Sequence, residues 1–391
     1  ASFGIFGDGS DGDLVVEPAE TAYTDDTRAA LGATANAGQP ALTLVSTGIF
    51  TPGMMGDEVF IIQMQGTGAG NYEFGTIAGV EGTVLTLTEA LSNTYTVGGN
   101  SKAQVLRVPN YQNVTVQGSG MLTARAWDGS TGGVLALRVQ DVFTGEQSSI
   151  VSMDGKGYRG GLGGPTQSTS YGYKGEGDAG PSYQRSHDDQ ANNGSGGGAG
   201  SKFSDSRGGG GGGGGNGTAG LDGVSHSGPQ NGFGGRTVGT ADLSIMLMGG
   251  GGGGGALDSQ GTAGTGGNGG GIIYIVAREL NGIGTISSNG SPGGSSNPAT
   301  SGGGAGGGAG GSIYLLVQAL HLRADLVTAT GGAGGDGYHW GAERGTDGGQ
   351  GGEGRIRIEY DTLTFSCGDP CGVTDPAASI QHLPDEYFDT E

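Results

Sequence analysis

Lysine is nearly missing from this chain. It stands only at positions 102, 156, 174 and 202, and 17 lysines and arginines face 38 aspartates and glutamates, a formal net charge of −21. The first basic side chain is Arg28 and the last arginine is Arg357, so both ends are acidic. That balance excludes binding to nucleic acid through its phosphates. Hydrophobic residues make up 33% and aromatics 6%, too few for a conventional side-chain core in 391 residues. No apolar run approaches the length of a membrane helix. Proline is scarce at 12, and glycine does not hold a strict three-residue register, which excludes collagen. The only cysteines are Cys367 and Cys371. With Gly-Asp-Pro between them, a small disulfide loop is the first expectation and an interchain disulfide the alternative. Either fits an oxidising compartment, and a zinc site lacks its further ligands. The chain opens on Ala1 rather than methionine, as a processed, secreted protein does.

What fills the deficit is glycine, 95 residues of it, gathered in runs such as Gly208–Gly215, Gly249–Gly255 and Gly302–Gly311. Glycine loses more backbone entropy on ordering than any other residue. With no side chain to bury, dense backbone hydrogen bonding is what remains to offset that cost. A flexible linker is the plainest account of such runs. Against it, two of them lead straight into apolar strands, Ile272–Val276 and Ile313–Val317. A glycine segment can instead extend as a helix of three residues per turn with no internal hydrogen bonds. Neighbouring segments then approach until their backbones bond to one another. The expectation is a polyglycine II helix bundle, with Gly208, Gly211, Gly214, Gly249, Gly252, Gly255, Gly303 and Gly306 inside it and small residues such as Ala199, Ala305 and Ala309 at its rim.

The rest of the chain reads as all-β, with β-sandwich or solenoid strands. Residues 1–131 carry strand candidates at Leu14–Val16, Ala41–Val45, Glu58–Ile62, Thr83–Thr88, Ala103–Val108 and Val114–Val116, separated by turn residues. Asp25–Ala37 is the one predicted helix. From residue 132 to 360 a unit repeats: strand, bend, strand, glycine-rich excursion. It begins at Gly133, Gly271, Ser312 and Gly354, and its second strands end in Ser152-Met-Asp154-Gly, Ser287-Ser-Asn289-Gly and Thr328-Ala-Thr330-Gly. Stacked units of this kind bury a core only with their neighbours. Leu243–Met248 is predicted as a buried strand between glycine runs. Residues 361–391 form an acidic tail that holds the cysteine loop.

These features resemble a family, the glycine-rich secreted bacterial surface proteins, some linked to gliding motility, and glycine-rich phage fibre proteins. The resemblance rests on Gly7-Asp8-Gly9-Ser10-Asp11-Gly12, on the Gly56–Gly66 strand and on the glycine–strand–turn–strand units. It covers most of residues 1–360 and implies an extracellular surface or fibre component.

Candidate sites are sparse. Asp8, Asp11 and Asp13 lie in a glycine-rich turn that suits calcium, although the spacing is not an EF-hand and a solvated acidic turn is the simpler expectation. His187-Asp188-Asp189 is the only histidine–carboxylate cluster, with no nucleophile or second histidine near it in sequence. Asp154, Asp188 and Glu353 are the acids a carbohydrate-cleaving solenoid would have to bring together. No catalytic centre is expected. Aromatics in the excursions, Tyr158, Tyr171, Tyr173, Tyr183, Phe203, Phe233, Tyr338 and Trp340, either pack the bundle edge or form a glycan-binding rim, with Tyr171, Tyr173, Tyr183, Tyr338 and Trp340 as the rim candidates. Asn113, Asn193, Asn216 and Asn289 head glycosylation sequons read as accidental. The terminal segments Ala1–Val16 and Phe365–Glu391 are candidates for strand exchange with a second copy. The expected function is therefore a non-enzymatic extracellular structural protein, a self-assembling filament or surface-fibre subunit. Alternatives are an adhesin that binds glycans, an ice-binding protein and a carbohydrate-active enzyme.

Overall fold

The computed structural model describes residues 4–164, 171–181, 190–201, 208–225, 231–257, 263–297, 302–322, 327–339, 343–344, 346–365 and 374–388. Among them the chain is almost entirely β, and the one α-helix is Asp385–Phe388. Its spine is a parallel solenoid of two facing sheets. The first runs Leu14–Val16, Val114–Val116, Val134–Gly145, Ile272–Asn281, Ser312–Leu322, Arg355–Phe365 and Ser379–His382, with Asn110–Tyr111 also paired to Val134–Gly145. The second runs Thr21–Tyr23, Met121–Thr123, Ile150–Ser152, Thr285–Ser287, Val327–Thr328 and Thr374–Asp375. Each rung places one strand in each sheet before the chain departs and returns.

Strand alternation builds the core. Leu137, Ile275, Leu315 and Ile358 stand in register down the inner face of the first sheet, and Leu122, Val151, Ile286 and Val327 oppose them from the second. The residues between, such as Tyr274, Tyr314 and Arg357, face outward in their own register. At the last described rung Ile380 continues the inner column but is 50% exposed, as no further rung covers it among the described residues.

Between the first and second rungs the chain makes a six-stranded antiparallel sheet, in the order Arg28–Ala30, Lys102–Arg107, Glu58–Gln65, Tyr72–Glu81, Val84–Leu87, Ala41–Thr43. One face has its own core of Val59, Ile61, Leu42, Leu85 and Tyr95. The other carries Phe60, Ile62 and Met64 against Ile272, Met246 and Tyr158. The solenoid sheets thus reach back to Leu14, across residue 131, and the antiparallel sheet is an insertion in the first turn.

Two local predictions fail. Asp25–Ala37 is not a helix: Arg28–Ala30 pairs antiparallel with Gln104–Leu106, and Leu31 and Ala35 bridge to Leu44 and Tyr95. Pairing with a preformed sheet overrides the modest helix propensity of the alanines. Leu243–Met248 is buried in part but forms no strand. Leu243 lies at φ +56° in a turn closed by its N–H on Thr240 O, and that left-handed backbone breaks any extended run.

The longer glycine excursions run side by side as straight segments whose hydrogen bonds repeat every third residue. Segment 249–256 shows the pattern. Gly249, Gly252 and Gly255 donate to Gly270, Gly267 and Gly264; Gly250, Gly253 and Ala256 donate to Gly215, Gly212 and Gly209; Gly251 and Gly254 donate to Glu176 and Tyr173. The carbonyls of Gly249, Gly252 and Gly255 accept from Tyr158, Gly161 and Gly164, those of Gly250, Gly253 and Ala256 from Ala309, Gly306 and Gly303, and those of Gly251 and Gly254 from Gly197 and Gly200. Every side of the segment is therefore occupied by another backbone. Gly211 and Gly214 likewise donate to Gly304 and Gly307, and Gly303 and Gly306 to Ala256 and Gly253. A Cβ on Gly208 would collide with the Ala256 carbonyl, and one on Gly253 with the Gly198 carbonyl.

The segments emerge directly from the solenoid. Asp154 Oδ1 accepts the Asn289 N–H at 2.6 Å and Asn289 Oδ1 accepts the Thr330 N–H at 2.8 Å, so each rung caps the next where strand becomes glycine segment. The antiparallel sheet braces the near end: Gly66 N–H donates to Asp178 O at 2.7 Å, and Met246 N–H to Gly70 O at 2.9 Å.

Candidate functional site

Outward-facing positions of the solenoid bring aromatic and charged side chains together. Tyr274 and Tyr314 occupy the same column on adjacent rungs, and parallel pairing with strands about 4.8 Å apart stacks their rings. The centroids lie 4.7 Å apart with the planes 12° from parallel. The next position in the column is Arg357. One column over, Glu359 accepts the Tyr314 hydroxyl at 2.8 Å and binds Arg357 Nη2 at 2.8 Å. Arg357 also reaches Ser379 Oγ at 2.8 Å and the Gln381 side chain.

Two apolar walls meet this tyrosine pair. From the antiparallel sheet come Phe60, Tyr72 and Phe74, with Phe74 5.1 Å and Tyr72 6.2 Å from the Tyr274 ring. From the termini come Phe6, Leu383 and Phe388, which form a cluster with Val276 and Leu316 against which Ile5 and both tyrosines pack. Phe6 and Phe388 stack at 5.8 Å, so the two ends of the described chain hold each other over Val276 and Leu316. Behind the first wall, Arg138 pairs with both carboxylate oxygens of Glu58, at 2.7 and 2.8 Å, and donates to Ile5 O. The turn 239–245 brings Asp242 near the Tyr72 hydroxyl. Asp242 is exposed, and hydrogen bonds from Thr240 and Ser244 hold its carboxyl down at about 2. Burial, then the charges of Asp242 and Glu359, push the Tyr72 phenol up to about 12. Tyr274 and Tyr314 are raised too, chiefly by burial. All three phenols stay neutral at physiological pH, able to donate and accept.

The predicted site residues lie elsewhere. Asp8 caps the Ser10 N–H, Asp13 accepts from Asn113 Nδ2 at 2.9 Å, and Asp11 is taken by Arg107 Nη2 at 2.8 Å and by the Asn110 N–H at 2.7 Å. Among the described residues no three His, Cys, Asp or Glu side chains gather as a metal site, and Asp8, Asp11 and Asp13 each accept hydrogen bonds that fasten the N-terminal turn. Tyr171 and Tyr173 lie half-buried on the segment beside Gly200 and Leu162, and Tyr338 bonds across to Gly302. Tyr183, Phe203, Trp340, Cys367, Cys371 and the His187-Asp188-Asp189 cluster lie outside the described residues. Tyr158 is fully buried, its hydroxyl on Met64 O. Asp154 and Glu353 serve separate joints, Asp154 through its carboxylate with Ser287 and Asn289, Glu353 through its backbone N–H to the Thr218 hydroxyl, while burial raises the Glu353 carboxyl. The sequon asparagines are engaged as well; Asn216 is wholly buried with its amide on Gly310 O.

Sequence reasoning missed the tyrosine column because it weighed aromatics only in the excursions. The signal was present in the repeat: Ile-Tyr-Ile and Ile-Tyr-Leu place tyrosine between two inward residues, on the outward face of consecutive rungs.

No protein-family model matches the chain, and no curated protein matches it in sequence. Among solved structures, the tailspike protein gp49 from Pseudomonas phage LKA1 aligns with 90% of this chain and 39% of its own, at 10% identity and a TM-score of 0.18. A likeness at that TM-score establishes neither a shared fold nor a shared function. Among the described residues no helix is long and apolar enough to cross a membrane.

Proposed function

We propose that the protein is an extracellular structural component, a subunit of a surface fibre or filament, whose glycine segments form a polyglycine II lattice. One observation carries this reading: the interior segments satisfy their backbone groups almost entirely on other backbones, with a three-residue repeat and no space for a Cβ at their glycines. Such a lattice is a rigid load-bearing element. It is fused to a solenoid that carries length. The acidic surface and the cysteine pair suit an oxidising exterior. Self-assembly belongs to the same proposal. Among the described residues no further strand pairs with either edge of the two solenoid sheets and Ile380 is exposed, which would give a second copy a surface to extend.

The test is electron microscopy of the purified chain with limited proteolysis in parallel. Regular filaments and a resistant fragment holding residues 132–360 are expected. Monodisperse particles under every condition would end the filament reading, and rapid cleavage within 208–215 or 249–256 would end the lattice reading.

A further inference from the structure

We propose that one corner of the glycine bundle, carrying Leu221, Val224 and Phe233, is a contact surface for a second copy of this chain. As the lateral contact of a fibre it rests on the reading above. As a pairing of bundles, made through glycine segments rather than edge strands, it forms between free chains as well.

The corner follows from the backbone. Segment 217–224 keeps a glycine at every third position, Gly217, Gly220 and Gly223. Gly220 and Gly223 turn inward, where a Cβ would meet the carbonyls of Gly213 and Gly210. Their N–H groups donate to Gly235 O and Gly232 O on segment 232–236, which runs antiparallel alongside. On the other flank the Leu221 and Val224 N–H groups donate to Gln350 O and Asp347 O. The two positions between successive glycines are left to point outward, and Leu221, Asp222 and Val224 are all exposed.

The lattice does not dictate what stands there. On other perimeter segments the exposed positions hold Thr265, Asn268, Ser295 and Gln350, all polar. Here they hold Leu221, 60% exposed, with Val224 and Phe233 each 46% exposed. Neighbouring apolar side chains on a surface held by backbone bonds mark a contact.

Charge identifies the partner. Arg236 is exposed and forms no ion pair among the described residues. Asp222 is exposed too, with Oδ1 accepting the Gly234 N–H at 2.7 Å. The backbone pairing sets Asp222 level with Phe233 and Arg236 one three-residue step away, about 9 Å along the segments, with Leu221 between the two levels. Asp347 and Glu353 lie across the ridge, on the opposite flank of segment 217–224. A two-fold axis midway, perpendicular to the segments, places Arg236 of each copy opposite Asp222 of the other and brings the two Leu221 side chains together. That contact is isologous. A partner of one sign would be repelled by one of the two charges, whereas a second copy satisfies both.

Sedimentation velocity of the full chain over a concentration series reads the contact, with electron microscopy of the same samples. A reversible dimer is expected, and side-by-side pairing wherever filaments form. Leu221→Asn should raise the dimer dissociation constant at least tenfold. Arg236→Asp and Asp222→Arg each set like charges opposite one another, so each variant alone should be monomeric. Mixed in equal amounts they should restore the dimer, because every facing pair is again of opposite sign. All three positions are exposed, and melting temperatures near the parent's check that the fold is kept. A parent chain that stays monomeric at every concentration overturns the proposal. So does a dimer unchanged by Leu221→Asn, or a mixture that fails to reassociate. Filaments that never pair laterally overturn it and leave the fibre reading standing; dimers that never become filaments support it and end the fibre reading.

Discussion

The solenoid core and the interior of the glycine bundle lie side by side in one molecule and are held by opposite means. In the solenoid, columns such as Leu137, Ile275, Leu315 and Ile358 remove apolar side chains from water. A fully buried leucine is worth roughly 1.5–3 kcal/mol. In the bundle there is little to bury beyond a few methyl groups, those of Ala199, Ala256, Ala305 and Ala309. Fixing each residue costs about 1–2 kcal/mol. Each interior glycine offsets this with one donated and one accepted bond, at a net of roughly 0.5–1.5 kcal/mol per bond. Cα–H···O contacts and close packing add about 0.5–1 kcal/mol each. The balance is thin per residue and depends on every neighbour being present. The lesson is that a core needs neither leucine nor a side chain, provided that nothing keeps the backbones apart.

That contrast is sharpened most by adding one methyl group to the bundle. In Gly253→Ala the new Cβ meets backbone on a neighbouring segment that cannot rotate away. The loss should be about 4–5 kcal/mol or more, in the range where single substitutions become exceptional. It is read as a collapse of protease resistance and of the melting temperature. In the solenoid the reverse change matters: Leu315→Ala leaves a cavity and should cost about 2–5 kcal/mol by chemical denaturation. If Gly253→Ala proved the milder of the two, the bundle would not be backbone-packed. A third change separates bundle interior from bundle perimeter. Gln350 is exposed, so Gln350→Ala should stay within about 0.5 kcal/mol of the parent although it lies one residue from Gly349, whose N–H donates to Gly211 O.

The smallest effect concerns pH. Burial holds the Asp25 carboxyl above the usual carboxylate range, against the Arg125 N–H and the Arg28 charge. The folded chain then binds this proton more tightly than the unfolded chain. Its contribution is greatest below the unfolded pKa and is lost as pH rises through the raised folded value. Asp25→Asn removes that dependence. The variant should gain on the parent in unfolding free energy as pH rises above about 4, the ordinary carboxylate value. A constant difference over that rise would show that Asp25 is ordinary.

Much of this was legible in the residues. Pure runs, Gly208–Gly215 and Gly249–Gly255, became segments enclosed on every side, as side-chain-free backbone allows. A finer signal also stands in the chain. Thr330-Gly-Gly-Ala333-Gly-Gly-Asp336 and Asp347-Gly-Gly-Gln350-Gly-Gly-Glu353 carry a side chain every third residue, the period of one face, and their most open positions, Ala333 and Gln350, are exposed. The triplet register therefore marks the perimeter and its absence the interior. The strands of the repeat were equally plain, because Ile273, Ile275, Leu315 and Ile358 alternate with outward residues. Arg28–Ala30 was misread because its strand exists only through its partner, Gln104–Leu106, far along the chain.

Composition alone settled which backbone could pack against backbone, since glycine lacks the Cβ that at most positions would keep two segments apart. The sequence also determined which faces of the repeat strands turn inward, since alternation is a local property. Tertiary structure decided the rest. The stacking of Tyr274 on Tyr314, the engagement of Asp11 by Arg107, and the meeting of Phe6 with Phe388 all join residues distant in the chain. No local spacing encodes them; they follow from the register of the rungs and from where the inserted sheet comes to rest.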